Sequence, residues 1–193
     1  MRVAALLLAA GSASRFGSDK LLHALPHEVP IAVQSARHLR AVFTRDVYAV
    51  VRPDSQRLAD LLRAEGCEVA VCENAAEGMG ASLACAVLAA GRADAYLVAL
   101  ADMPFIRPSS IAAVRDALLK GAALAVPYFR ARRGHPVGIS SRFSDRLAQL
   151  RGDEGAKRLL AEHASEIVKI PVGDPAVLRD IDTPGDLAPP LVV

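Results

Sequence analysis

Short runs of aliphatic residues, recurring between segments of helical spacing, constrain the fold of this chain more than any other feature. The first, residues 3–10 (VAALLLAA), is continuous rather than alternating. Such a run reads as a strand buried on both faces, although periodicity alone leaves a helix open. Comparable runs follow at 47–51, 68–72, 95–100 and 122–126. Between them, residues 31–41 place apolar side chains at 32, 33, 36 and 39, and 55–65 place Leu58, Leu61 and Leu62 on one helical face. Residues 83–90 and 109–119 also read as helices, the latter opened by Pro108. Asp54 is the expected N-cap of the 55–65 helix, and Gly66 its stop. Strand and helix thus alternate to about residue 126. That pattern predicts βαβ units, right-handed crossovers and a mostly parallel sheet in a three-layer α/β/α sandwich. The last third adds smaller pieces: strands at 137–140 and 167–170, and helices at 143–150 and 155–163. No repeat or long linker divides the chain, so residues 1–193 are expected to form one domain.

Composition excludes several classes of function. Hydrophobic residues make up 52% but aromatics only 4%, so the core must be built from Ala, Leu and Val. A net charge of +2 is too small to argue for nucleic acid or an acidic membrane surface as partner. No apolar run approaches the roughly 20 residues of a membrane span. Only Arg2 precedes the first run and no cleavage site follows it, so a signal peptide is not expected. Cys67, Cys72 and Cys85 are odd in number and lack CxxC spacing. They are expected to be buried free thiols in a reducing cytoplasm, not a disulfide framework or a zinc site.

Candidate chemistry begins where the first strand ends. Gly11, Ser12, Ser14, Arg15, Gly17 and Lys20 follow the apolar run directly. Glycines permit close backbone approach to a ligand, and the two cations sit where free N–H groups can point, which suits a phosphate. An ordinary strand followed by a glycine-containing loop remains open. The segment fits neither GxxxxGK[ST] nor GxGxxG. Asp102 stands just past the 95–100 strand, where open α/β sheets bind ligands. Asp180 and Asp182 come late and could fold back beside it. Two carboxylates next to a phosphate suggest Mg²⁺, which shares its oxygen shell with substrate. Taken by itself, Asp182 reads as the N-cap of a turn over 184–187. Residues 74–82 (NAAEGMGAS) are either a flexible turn or a second wall of the same cleft, with Gly80 in it and Ser82 at the start of the next helix. His135 is either a turn histidine before Pro136 or a contact to the second substrate. Arg132 and Arg133 read as a solvated basic loop or as an attractor for an anion, and His23 and His27, separated by Pro26, as surface histidines.

Together these motifs carry a family resemblance. Leu8-Ala9-Ala10-Gly11 with Arg15, Gly17 and Lys20 resembles the opening signature of MobA-like nucleotidyltransferases. Leu100-Ala101-Asp102-Met103-Pro104 and Asp180-Ile181-Asp182-Thr183-Pro184 resemble that family's LGDMP and DIDTP segments. Gly134-His135-Pro136-Val137, Gly152-Asp153-Glu154-Gly155-Ala156 and the 78–83 loop are similar to one branch, the molybdenum cofactor cytidylyltransferases. The match runs in order from residue 3 to 187. It departs at Ala13, where the branch has serine, at Ala101 for glycine, at Lys157 for arginine, and at 26–30, which lacks a glycine turn.

The resemblance implies a Rossmann-like, nucleotide-diphospho-sugar transferase-like fold. Residues 1–126 would mainly bind nucleotide and 127–187 mainly the acceptor. The implied reaction is Mg²⁺-dependent transfer of CMP from CTP to the terminal phosphate of molybdopterin or its metal-loaded form, with release of pyrophosphate. Arg15, Lys20 and Asp102 would be catalytic. Leu8, Ala9, Ala10, Gly11, Lys20, Gly80, Ser82 and His135 would bind nucleotide or cofactor, with Ala10 favouring cytosine. Asp102 and Asp182 would hold the metal, Asp180 being the less favoured ligand. A molybdenum enzyme or its maturation factor would be a further partner; no nucleic acid or membrane is implied. Alternatives are guanylyl transfer, a sugar-phosphate acceptor, or a non-catalytic cofactor chaperone.

Overall fold

The structure, a computed structural model, describes residues 1–11, 20–153 and 155–188. The first apolar run forms β1 (Val3–Leu8), buried along its whole length. It pairs in parallel with β2 (Val47–Val51) on one side and β4 (Ala95–Leu100) on the other. β3 (Glu68–Val71) extends the sheet in parallel beyond β2. On the far side of β4 lies β7 (Val137–Ser140), antiparallel to both β4 and β5 (Leu124–Phe129). β6 (Arg132–Arg133) closes a hairpin with β5, and β8 (Ile167–Pro171) pairs with β5 in parallel. The strand order is β3-β2-β1-β4-β7-β5-β6, with β8 off that path.

Successive side chains of a strand point to opposite faces, and β1 divides accordingly. Ala5, Leu7 and Ala9 join a core layer with α1 (Ile31–Arg40), α2 (Gln56–Ala64) and α4 (Pro108–Leu119), represented by Leu39, Leu58, Leu62, Val114 and Leu118. Ala4, Leu6, Leu8 and Ala10 join the other layer with α3 (Met79–Ala90), α5 (Ser144–Ala148) and α6 (Lys157–Glu162), represented by Leu83, Val87, Leu147, Leu159 and Leu160. This is the expected three-layer α/β/α sandwich with a mostly parallel sheet. Among the described residues no helix is long and apolar enough to cross a membrane.

Three local expectations are corrected. Ser55, not Asp54, is the N-cap residue of α2; Asp54 instead receives Arg52 Nε at 3.2 Å. Residues 74–82 are not loop throughout: a 3₁₀ turn at Ala75–Glu77 leads directly into α3, which begins at Met79 rather than at Leu83. The 143–150 helix shrinks to α5, because a 3₁₀ turn at Ser141–Phe143 takes up its start.

α4 is anchored from a distant part of the chain. Asp174, only 3% exposed, accepts hydrogen bonds from Arg107 N at 2.9 Å, Ser110 Oγ at 2.8 Å and Ala176 N at 3.1 Å. It therefore satisfies donors at the start of α4 and in the 3₁₀ turn Pro175–Leu178 together. We predict that Asp174→Ala lowers stability by about 2–4 kcal/mol, since it strands buried donors. The urea midpoint should fall accordingly, while ligand affinity per folded molecule stays unchanged.

Candidate functional site

β1 runs on to β2 and β3 on one side of the sheet, and β4 lies on its other side. The chain order therefore reverses between β1 and β4, and open sheets bind ligands at the carboxyl ends of the strands there. Leu8 is directly opposite Leu100 in the ladder. Ala101 N donates to Leu8 O at 3.0 Å, and Ala9 N to Val50 O at 2.9 Å. These bonds carry the pairing past the strand ends and deliver Gly11 and Asp102 to the same crevice.

Lys20 starts a short 3₁₀ turn, Lys20–Leu22. Its Nζ donates to Asp102 Oδ2 at 2.9 Å and lies 3.8 Å from Asp182 Oδ1. The lysine side chain is 12% exposed, Asp102 25% and Asp182 55%. Asp182 arrives because Ile181 N donates to Asp102 O at 2.9 Å, with the Ile181 side chain fully buried. Thr183, not Asp182, caps the following 3₁₀ turn Pro184–Leu187, in a reciprocal capping box with Asp186. The capping expectation for Asp182 is thus corrected, and its carboxylate is left to face the lysine.

This arrangement tests the fit of a divalent cation. An ammonium already lies within 4 Å of both carboxylates, so the two acids converge on one point and tolerate positive charge there. Two carboxylates with remaining positions open suit Mg²⁺, which keeps waters and substrate phosphates in its shell. No cluster of three or more His, Cys, Asp or Glu side chains suited to a metal occurs among the described residues. Among the described residues the donors at this point are the carboxylates of Asp102 and Asp182.

Beside this pair opens a cavity of about 470 Å³. Leu8, Ala10, Gly11, Lys20 and Asp102 form one side, and Ala75, Gly78, Met79 and Ser82 the other. A Cβ on Gly11 would meet nothing within 4 Å. Packing among the described residues thus does not demand that glycine. Arg52 and Asp153 also line the cavity. Neither was singled out from sequence, although Arg52 directly follows β2 and Asp153 lies within the GDEGA motif.

The remaining expected residues are placed as follows. Arg15, with Ser12, Ala13, Ser14 and Gly17, lies outside the described residues. Ala9 belongs to the opposite core layer, so its side chain faces away from the cavity. Gly80 does not line the cavity but supports its wall: Gly80 N donates to Gly152 O at 2.6 Å. A Cβ on Gly80 would stand 2.7 Å from Arg151 O and 2.8 Å from Gly152 O. His135 also lies outside the cavity lining. Its backbone N donates to Val177 O at 2.8 Å, and its buried Nδ1 has no hydrogen-bond partner among the described residues. Burial, reinforced by Arg133, pushes its pKa down to about 4, against an opposing pull from Asp180.

A crevice at the switch point of an α/β sheet, with a cation-balanced carboxylate pair, defines the class: a protein that handles phosphorylated ligands. The chain belongs to the MobA-like NTP transferase domain family, which matches residues 5–167. It is 36% identical over 156 residues to the bifunctional protein GlmU of Bradyrhizobium diazoefficiens, covering 76% of this chain but 33% of that protein. The chain thus spans a third of that relative's length. It is 27% identical over 190 residues to nicotine blue oxidoreductase of Paenarthrobacter nicotinovorans, covering 94% and 92% of the two chains. The crystal structure of Rv0371c from Mycobacterium tuberculosis superposes with a TM-score of 0.82 at 24% identity, covering 96% of this chain and 94% of that one. The same protein solved with manganese gives a TM-score of 0.80 at 22% identity, covering 96% of each chain.

Two predictions follow from this geometry. Gly80→Ala should push residues 151–153 off the start of α3 and weaken nucleotide binding about tenfold, at a stability cost of about 1–3 kcal/mol. Isothermal titration and chemical denaturation read the two effects separately. The second concerns pH. The folded pKa of His135 lies below its unfolded value near 6.5, so the stability this group contributes is complete above pH 6.5 and is lost as pH falls toward 4. The loss by pH 4 amounts to about 2–3 kcal/mol after allowance for its partial exposure. His135→Gln should flatten the urea-midpoint profile across that window; a profile parallel to the parent's would contradict it.

Proposed function

We propose that this chain is a molybdenum cofactor cytidylyltransferase. It would transfer CMP from CTP to the terminal phosphate of molybdopterin, or of its metal-loaded form, and release pyrophosphate. The observation that carries this reading is the Lys20 ammonium held between Asp102 and Asp182 at the edge of the cavity. The branch-specific GHPV and GDEGA motifs and the 78–83 segment support the choice of nucleotide and acceptor.

In this reading a phosphate oxygen of the acceptor attacks the α-phosphorus of CTP, and the bond to pyrophosphate breaks. Such a transfer needs positioning and charge neutralisation rather than a covalent enzyme intermediate. Lys20 leaves the carboxylates for the triphosphate and, with Arg15, balances the charge that gathers on the leaving group. Asp102 and Asp182 would hold Mg²⁺. Bound there, the metal would neutralise negative charge on the reacting and leaving phosphates. The backbone of Leu8, Ala9, Ala10 and Gly11 would follow the ribose and base, with Ala10 favouring cytosine. Ser82 would face them across the cavity, on a wall that Gly80 supports. Residues 127–187, His135 among them, would serve the acceptor within a single domain of 1–193. The reaction is proposed for the cytoplasm, with a molybdenum enzyme or its maturation factor receiving the product.

The direct test is pyrophosphate release with CTP, GTP or ATP, in the presence of Mg²⁺ and molybdopterin. The expected outcome is release with CTP that chelation abolishes. Release with GTP alone would assign guanylyl transfer, and a response only to sugar phosphates would assign that acceptor class. Nucleotide and cofactor binding without release would leave a carrier. Asp102→Ala should retain nucleotide binding while turnover falls by about 10²–10³-fold, and Lys20→Met should lower kcat by a similar factor. Full turnover in Asp102→Ala would remove that carboxylate from the mechanism.

A further inference from the structure

Two of the three cysteines flank the cavity wall. Cys72 directly follows β3, and Cys85 lies in the middle of α3. The chain between them contains Ala75, Ala76, Gly78, Met79 and Ser82, all of which line the cavity. The two sulfurs reach across the same gap from opposite sides. Cys72 Sγ lies 3.7 Å from Ala81 O on α3, one helical turn before Cys85. Cys85 Sγ lies 3.8 Å from Val71 O, the residue next to Cys72. Cys72 Sγ also lies 3.3 Å from Asn74 Oδ1, and the two thiols are close enough to interact electrostatically. Cys72 is 1% exposed, whereas Cys85 is partly exposed. Cys67 belongs to the core layer on the other side of the sheet, away from both.

We propose that Cys72 and Cys85 are a modification site: a dithiol that small disulfides oxidise to an internal disulfide, stapling the cavity wall. The partly exposed Cys85 is the entry point. Its thiolate attacks one sulfur of a small disulfide such as oxidised glutathione, forming a mixed disulfide and releasing one small thiol. The Cys72 thiolate then attacks the Cys85 sulfur and releases the second small thiol. The protein pair loses two electrons and two protons, and the small disulfide gains both. Burial and the neighbouring sulfur push the Cys85 thiol up to about 11. The reaction is therefore slow at neutral pH and accelerates about tenfold per pH unit up to pH 9.

Closing the bond brings the two sulfurs to about 2.05 Å. The start of α3 is held where Gly80 N donates to Gly152 O at 2.6 Å and Gly80 packs on Arg151 O. Drawing the helix toward β3 at Cys85 strains this contact, and with it the position of Asp153. This consequence, unlike the bond itself, rests on the proposed nucleotide site.

The test oxidises the full chain with oxidised glutathione at pH 8.5, then blocks remaining thiols with N-ethylmaleimide during unfolding. Mass spectrometry should show an internal Cys72–Cys85 link with Cys67 alkylated, and Cys67→Ser should behave identically. A stable glutathione adduct on Cys85, a link involving Cys67, or a covalent dimer would overturn the proposal. Oxidation should weaken Mg·CTP binding about tenfold, reversibly with reductant and not at all in Cys85→Ser. Unchanged affinity in cross-linked protein would overturn the coupling between staple and cavity. If reduced protein binds no CTP, the cytidylyl reading fails and the mass result still decides the disulfide.

Discussion

The parallel ladder between β1 and β4 is the constraint on which the rest of this structure depends. Six consecutive pairs, from Val3 opposite Ala95 to Leu8 opposite Leu100, join two strands that are almost entirely buried. A slip of one residue would turn Leu7 and Leu6 to the wrong layers, so the register is held by the packing of both faces at once. The same register brings Gly11 and Asp102 to the crevice, three and two residues past their strand ends. Functional groups are thus positioned by hydrophobic matching that involves none of them.

The carboxyl-terminal segment completes the site by a different means. Ile181 is buried and its N–H is spent on Asp102 O, so the backbone of the second acid is tied to that of the first. Thr183 and Asp186 satisfy the turn that follows, with Asp186 Oδ2 receiving Thr183 N at 2.9 Å and Thr183 Oγ1 at 2.8 Å. The Asp182 side chain is consequently spared from capping. Five of the six residues from 181 to 186 divide the work: Ile181 anchors, Asp182 faces the lysine, Thr183 and Asp186 cap, and Pro184 sets the first position of the turn.

Sequence reasoning reached the elements whose signal is local. Fully buried parallel strands are continuous apolar runs, and β1, β2 and β4 stand where such runs occur. The start of α3 was hidden because Gly78 and Gly80, poor helix formers, flank Met79 and read as a turn, whereas in the fold Gly80 packs against Arg151 and Gly152. The insertion of β7 between β4 and β5 was likewise hidden, since antiparallel placement is a long-range choice. Gly138 fits that place, because a Cβ there would meet Leu118 at 2.9 Å and Val114 at 3.0 Å on α4, which packs closely on the strand. At the site, Lys20, Asp102 and Asp182 were legible as site residues, whereas Asp153 was visible only as part of the GDEGA segment and Arg52 carried no motif at all. Each comes to the cavity by the fold alone, one from the end of β2 and one from a turn docked on α3.

The charge balance of the crevice explains why one cation serves two states. In the free protein the Lys20 ammonium is mostly buried and is compensated by Asp102, with Asp182 close by. Removing either partner would leave a poorly solvated charge. A triphosphate entering the cavity offers the ammonium a more strongly anionic partner, and Lys20 can reach it because its side chain already lines that space. The two carboxylates are then left facing each other without a cation, a condition that a divalent ion relieves. On the proposed reading, nucleotide binding therefore raises affinity for the metal, and by linkage the metal raises affinity for nucleotide by the same factor. That reciprocity follows from a single lysine being shared between protein and ligand, and it requires no conformational change beyond the movement of its side chain.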